Sequence, residues 1–340
     1  MLTSYDAEIL CEGVDRFERC RILVVGDVIV DEFIWGRVDR ISPEAPVPVV
    51  EVDRESLMLG GAGNVVHNII ALGGQVSLCG VIGNDAMGRE SVRMLRKMNS
   101  PTRGLVVEDR RPTTMKTRVV AHSQQVVRVD REECRPLDED SVEQILANVN
   151  DQLTSIEAIV VADYGKGVVT QSLMDGIRSL TDGTPILLAV DPKVQNLTLY
   201  RGVTLITPNV HEAQVMSGVN IVGEKSLDQA GKDLLRELDC QMVLITQGEK
   251  GMTLFERNDQ TTQIPTVARQ VFDVSGAGDT VISTFTLALA AGLAPKQAAI
   301  LANFAAGIVV GEVGTATVPV SRLKEALLDG VPRRTMRTPQ

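Results

Sequence analysis

Six short apolar runs, rich in β-branched residues, constrain this chain most: Ile22–Val25, Val76–Ile82, Ile156–Ala162, Ile186–Val190, Val203–Thr207 and Met242–Thr246. Runs that are apolar throughout, rather than at alternate residues, suit strands covered on both faces, and such strands belong to parallel sheets. Between them lie segments of helical length and pattern: Met87–Met98, Asp140–Leu153, Thr170–Leu180 and Ser226–Leu238. Strands alternating with helices predict a three-layer α/β fold, a mostly parallel sheet with helices on both faces. Ligands of such sheets gather beyond the carboxyl ends of the strands. Those ends here read Gly26-Asp27, Ala162-Asp163, Asp191-Pro192-Lys193, Thr207-Pro208-Asn209 and Thr246-Gln247-Gly248.

Two stretches break the alternation. Residues 33–53 combine Pro43, Pro46 and Pro48 with Val47, Val49, Val50 and Val52, and residues 105–130 include the alternating run Lys116–Val120. Both predict β segments outside the main sheet, forming a small lid; an edge hairpin without a role fits the same pattern. The expected organisation is one domain over residues 1–330 and a tail over 331–340.

A net charge of −10 over 340 residues argues against a broad nucleic-acid footprint, which needs a basic surface. The five cysteines include no CxxC pair, so free thiols in a reducing compartment are expected. The acidic first twenty residues do not form a signal peptide, and no run approaches the ~20 apolar residues of a membrane span. A soluble, cytoplasmic chain is expected.

The strongest local motif is Asp273-Val274-Ser275-Gly276-Ala277-Gly278-Asp279, followed by the apolar segment Thr280–Ala291. Bare backbone at a helix start lets N–H groups converge on an anion, assisted by the helix dipole. A carboxylate at the same place, Asp279, suits phosphoryl transfer, accepting the proton of the attacking hydroxyl while the amides neutralise the migrating group. An N-cap role for Asp279 is the plainer alternative. Gly60-Gly61-Ala62-Gly63-Asn64 lacks the last glycine of GxGxxG, and no GxxxxGK[ST] is present, so neither a dinucleotide fingerprint nor a P-loop is supported. The turn permits close backbone approach to a polyol, with Asn64 as donor and acceptor; a simple tight turn fits equally. Asn209 and Glu212 have the spacing to present oxygens to Mg²⁺ waters and phosphate, and equally that of a capping box. Asp27 and Asp31 follow the first strand, where carboxylates accept sugar O–H groups. Between Arg103 and Arg131, both included, seven Lys or Arg residues stand against Glu108, Asp109 and Asp130. A phosphate on the substrate would explain that excess; so would a solvated β face.

Taken together and in this order, the Gly60–Asn64 turn, the Asn209…Glu212 pair and the Asp273–Asp279 motif resemble those of the ribokinase-like (PfkB) family of sugar kinases. The resemblance implies a three-layer ribokinase-like fold with a small β lid, often the contact of a homodimer, and ATP with Mg²⁺ as cofactors. It implies Asp279 as catalytic base and Gly276, Ala277 and Gly278 as anion hole. Asn209 and Glu212 would organise Mg-ATP, Glu212 reaching the metal through water, with Lys193, Thr246, Gly248 and Asn303 along the nucleotide site. Asp27, Asp31, Gly60, Gly61 and Asn64 would bind the sugar. A monovalent-cation requirement is left open.

Asp39–Pro48, Asp163-Tyr164-Gly165-Lys166-Gly167 and Ala305–Thr317 further resemble D-glycero-D-manno-heptose 7-phosphate kinases. That resemblance implies phosphorylation of an anomeric hydroxyl, giving a heptose 1,7-bisphosphate on the way to the nucleotide-activated heptose of lipopolysaccharide. Asp163 would then lie beside the sugar, and Lys116, Arg118, Arg128 or Lys166 would hold the 7-phosphate. Many members continue into a nucleotidyltransferase domain with an HxGH signature; this sequence has none, which implies the kinase part alone. A kinase for another sugar or a nucleoside, and a non-catalytic nucleotide- or sugar-sensing module, are the alternatives.

Overall fold

A computed structural model describes residues 5–122, 124–268, 274–312 and 316–330. Asp273 and the expected tail 331–340 lie outside the described residues. From the N-terminus run α1 (Ala7–Asp15), β1 (Arg21–Gly26), β2 (Val28–Ile41), β3 (Pro48–Gly61), α2 (Ala62–Ala71) and β4 (Gln75–Gly83). There follow α3 (Ala86–Lys97), β5 (Leu105–Glu108), β6 (Thr114–Ala121), β7 (Gln124–Arg131), α4 (Glu139–Asn150), β8 (Ala158–Ala162), α5 (Gln171–Thr181) and β9 (Leu187–Asp191). The last part holds β10 (Leu205–Ile206), α6 (Val210–Ser217), α7 (Glu224–Leu238), β11 (Met242–Thr246), β12 (Met252–Glu256), β13 (Thr261–Ile264), α8 (Ala277–Ala290), α9 (Pro295–Val309) and α10 (Val320–Asp329).

All six apolar runs lie in one nine-stranded sheet, ordered β13-β12-β11-β10-β9-β8-β1-β4-β5. Its pairs from β11 to β5 are parallel, and β12 and β13 add an antiparallel edge. Successive strand residues point to opposite faces, so each run feeds two cores. Ile22, Val24 and Val160 meet one, shared with Leu10 of α1, Val65 of α2, Phe285 of α8, Leu301 of α9 and Leu323 of α10. Leu23, Val25 and Val161 meet the other, shared with Ile145 of α4, Ile177 of α5, Met216 of α6 and Leu234 of α7. The three-layer expectation is met. The helices start where their caps dictate: Asp85, Asp138 and Thr170 each accept a backbone N–H of the first turn that would otherwise be an orphan donor.

A second sheet, ordered β3-β2-β6-β7, stands beside the first. It is longer than expected at one end and shorter at the other. Only Asp27 separates β1 from β2, and β3 passes straight into α2, so the hairpin runs over 28–61 rather than 33–53. Residues 105–108, expected in the lid, pair instead with β4 at the edge of the main sheet, because Val106 packs into the second core. Pairing of Asp31 and Phe33 with Lys116 and Arg118, and of those two with Asp130 and Arg128, gathers these charges on one face. The opposite face carries the exposed Leu57, Val127 and Val129. All five cysteines are free thiols. Among the described residues no helix is long and apolar enough to cross a membrane.

Candidate active site

Asp279 sits in the first turn of α8, a helix buried from Asp279 through Ala288. Gly276 caps that helix in the left-handed region, φ +77°, which glycine adopts without a Cβ penalty. Among the described residues, a Cβ on Gly278 would meet nothing within 4 Å. One expectation needs correction: the Ala277 N–H donates to the Val274 carbonyl at 3.2 Å, closing a turn, so that amide is engaged within the chain.

Both oxygens of Asp279 are held. Asn64, brought in by α2, donates from Nδ2 to Oδ2 at 2.5 Å. The hydroxyl of Tyr164, in the loop after β8, donates to Oδ1. Burial pushes the Asp279 carboxyl up to about 6, against the pull of these two donors and with a push from the Asp31 charge. The N-cap alternative fails, since Gly276 is the cap residue and Asp279 faces side chains from other elements. Tyr164 itself was missed as a site residue, although it stands inside a motif that was singled out. A loop tyrosine carries no signal of the carboxylate that it meets 115 positions away.

Asp27 and Asp163 depart from the expectation that they face a ligand. Asp27 is 1% exposed, and its carboxylate accepts the backbone N–H groups of Tyr164, Lys166 and Val168 at 2.8, 3.1 and 3.1 Å. Burial raises its pKa to about 6 despite those bonds. Asp163 accepts from Gly165 N, Asn196 Nδ2 and the Tyr200 hydroxyl, at 2.8, 2.7 and 2.6 Å. Each buried carboxylate is thus satisfied by three donors of the chain itself, and together the two brace the 163–168 loop. Asp191, at the end of β9, is pushed up by burial first and then by the Asp279 and Glu212 charges. Carboxyl groups therefore cluster at the strand ends, where burial and their neighbours disfavour ionisation.

The lid brings further groups. Asp31 is paired with Arg118, whose guanidinium also lies 5.2 Å from the Phe33 ring centroid. Gly60 is bare for the sake of that carboxylate: a Cβ there would stand 2.0 Å from Asp31 Oδ2. Gly61, φ +57°, turns the chain from β3 into α2. Lys116 and Lys166 converge on Glu132 Oε2 at 3.5 and 2.7 Å, and the Lys166 contact is the main cause that lowers the Glu132 pKa. Lys116 also reaches Asp130 at 3.3 Å, and Arg128 reaches it at 2.9 Å. The four expected phosphate-binding cations are thus within one neighbourhood, each satisfied by a carboxylate.

A groove of about 1540 Å³ runs past β11, lined by Asn209, Thr246, Gly248, Lys250, Thr266 and Lys296 among others. Asn209 and Glu212 form the capping box of α6: Asn209 N donates to Glu212 Oε2 and Glu212 N to Asn209 Oδ1, each at 2.9 Å. Two expected nucleotide contacts stand elsewhere. Asn303 is buried behind the groove wall, donating to the Pro265 carbonyl at 2.8 Å. The Lys193 side chain lies beside Gly165. Among the described residues no group of three or more His, Cys, Asp or Glu side chains is placed to hold a metal directly. Asn209 at the groove and Glu212 next to it carry hard oxygens of the type that fits Mg²⁺, which keeps several waters and binds largely through them and through substrate phosphates.

The description "pfkB family carbohydrate kinase" matches residues 20–322. The chain is 48% identical over 316 residues to the bifunctional protein HldE of Desulfatibacillum aliphaticivorans, covering 93% of this chain and 65% of that protein. It therefore spans just under two thirds of that relative's length. The fold is similar to that of Arabidopsis thaliana ribokinase complexed with ribose and ATP, at TM-score 0.71 and 18% identity, covering 91% of this chain and 98% of the other. It is also similar to phosphofructokinase-2 of Escherichia coli in complex with potassium, at TM-score 0.75 and 20% identity, covering 91% and 99%. With the Gly60–Asn64 turn, the Asn209–Glu212 pair and the α8 motif all at the carboxyl edge of its parallel sheet, this chain belongs to the pfkB family of carbohydrate kinases.

Proposed function

We propose that the chain transfers the γ-phosphoryl group of ATP to the anomeric hydroxyl of D-glycero-D-manno-heptose 7-phosphate, giving the 1,7-bisphosphate used to make ADP-heptose for lipopolysaccharide. The observation that carries this reading is Asp279: a buried carboxylate, held by Asn64 and Tyr164, in the first turn of a helix whose Gly278 is uncrowded among the described residues. Asp279 takes the proton of the acceptor hydroxyl as that oxygen forms its bond to phosphorus and ADP leaves with the electrons of the broken P–O bond. The amides of Gly276 and Gly278 and the α8 dipole face the charge that develops. Glu212 and Asn209 would hold Mg²⁺ through water, and the ion would supply charge neutralisation to the phosphates. Asn209, Thr246 and Gly248 line the nucleotide groove, while Asn303 supports its wall.

Asp31, Gly60, Gly61 and Asn64 border the sugar, and Asp27 and Asp163 frame it from behind. The heptose assignment is supported by the resemblance of Asp39–Pro48 and Asp163–Gly167 to heptose 7-phosphate kinases and by the relatives named HldE. It is also supported by Lys116, Arg118, Arg128 and Lys166, which surplus charge on the substrate would draw from their carboxylate partners. The test is ADP release with heptose 7-phosphate, ribose, fructose 6-phosphate and adenosine as acceptors. Heptose 7-phosphate should lead by at least about 100-fold in kcat/KM, since desolvated polar sites discriminate that strongly. Preference for an unphosphorylated sugar would end the 7-phosphate assignment, and no ADP with any acceptor would favour a sensing module. Running the assay with and without potassium, the ion named for the phosphofructokinase-2 structure, decides whether a monovalent cation joins ATP and Mg²⁺.

The same reading places the protein in the cytoplasm as a homodimer joined through the lid. The exposed apolar face of Leu57, Val127 and Val129 suits self-association. Sedimentation should give twice the chain mass, and Val129→Asp should halve it. A wild-type monomer at micromolar concentration would refute the lid contact.

A further inference from the structure

We infer that Tyr164 is a positioning residue that aims the Asp279 carboxylate and keeps it ionised for proton abstraction. The inference rests on the proposed role of Asp279 as base. Tyr164 reaches Asp279 Oδ1 from the loop after β8 while Asn64 reaches Oδ2 from α2, so the carboxylate is fixed from two sides. A carboxylate pinned by two donors still has lone pairs for an incoming hydroxyl. Tyr164 cannot replace Asp279 as base: burial and the neighbouring Asp279 charge push its own hydroxyl well above the usual tyrosine range. It remains a donor throughout.

Tyr164 is held as firmly as it holds. Its backbone N–H donates to Asp27 Oδ2 at 2.8 Å, and on either side of it Asp163 fixes Gly165 while Asp27 fixes Lys166 and Val168. Two buried carboxylates thus set the loop, the loop sets the phenol, and the phenol sets the base. The groups that face Asp279 from the surrounding elements are Asn64 on α2, Tyr164, Asp31 on β2 and Asp191 on β9. Arg118 on β6 acts only through its pairing with Asp31. Burial and the Asp31 charge favour protonation of Asp279, and the hydrogen bonds from Asn64 and Tyr164 are what oppose it. Hydrogen bonds to the charged form of a carboxyl lower its pKa. Loss of the phenol hydroxyl should therefore raise it.

The experiment is the pH profile of kcat/KM for Tyr164→Phe, with Asp279→Asn as reference and ADP release as the signal. The acid limb should move up by about one pH unit. The variant should be about 10–100-fold slower near pH 6.5, within the span general-base catalysis covers, and the deficit should shrink toward pH 9, with KM for ATP unchanged. Replacing Tyr164 with 3,5-difluorotyrosine, a stronger donor, should move the limb the other way and tests the same bond without deleting it. A deficit of constant size at every pH, or an unmoved limb in both variants, would overturn the assignment while an inactive Asp279→Asn leaves the base reading standing. An active Asp279→Asn would remove that reading and this inference together.

Discussion

Asp279→Asn should still bind ATP and should lose turnover by about 10³-fold, the middle of the range for removal of a general base. The nucleotide groove is lined by other residues, around β11 and the start of α6, so affinity for ATP should hold while kcat falls. The same variant has a stability signature with a defined sign. The folded-state pKa of Asp279 is raised, from 3.8 to about 6, so the folded chain binds this proton more tightly than the unfolded one. Its contribution to stability is full below about pH 3.8 and is lost as pH rises through about 6. Asparagine does not titrate. The stability of Asp279→Asn relative to the wild type should therefore improve between pH 4 and pH 7, by about 2–3 kcal/mol at roughly 1.4 kcal/mol per pKa unit. Urea melts at several pH values measure that slope, and a constant pH-independent offset is set by how the new amide meets two donors. Wild-type turnover in the variant, or a flat difference across pH, would show that Asp279 is neither the base nor a buried carboxylate strained by its setting.

The largest structural effect is expected at Arg111. This arginine is buried and donates in several directions: Nε to Glu108 at 2.9 Å, Nη1 to the carbonyls of Glu133 and Lys166, and Nη2 to those of Arg135 and Pro136. It ties the end of β5 to the segment leaving β7 and to the loop that carries Tyr164. Deleting it leaves the Glu108 charge buried, with Ser141 at 2.9 Å and the half-exposed Arg135 at 3.5 Å as remaining partners. Breaking a buried pair in this way costs about 3 kcal/mol or more. Arg111→Ala should therefore lower the urea midpoint with little change in m, and should raise KM for the sugar because the Lys166 loop loosens. Arg111→Lys keeps the charge but cannot make the planar fork, so it should recover only a minor part. A loss below about 1 kcal/mol would mean that this arginine behaves as a surface ion pair does.

The outcome at particular residues shows what kind of information a sequence holds. Ile22–Val25 and Met242–Thr246 were readable as strands because burial on both faces leaves a mark on every residue in the run. Asp140–Leu153 was readable as a helix because its apolar positions recur at the helical period, and the structure forms it over Glu139–Asn150. Residues 105–108 pair in the main sheet and not in the lid, because three apolar residues and a glutamate before a hairpin look the same whether they join the lid or the edge of the main sheet. The Asn209–Glu212 pair carried two readings at one spacing, and the capping box is made in full. Asp27 and Asp163 stand at strand ends as the sequence suggests, and the structure adds the loop donors that each carboxylate accepts from.

By itself the sequence determined the layers, the alternation of strand and helix that makes the sheet mostly parallel, and the glycine-flanked carboxylate at the start of α8. These depend on neighbours within one or two turns of chain, where periodicity and backbone freedom act. Only the tertiary structure decided which donors claim each carboxylate. Asn64, Tyr164 and Asp279 stand 215 and 115 positions apart, and a hydrogen bond of under 3 Å is won by whichever group the packed fold brings there, a contest that leaves no local trace.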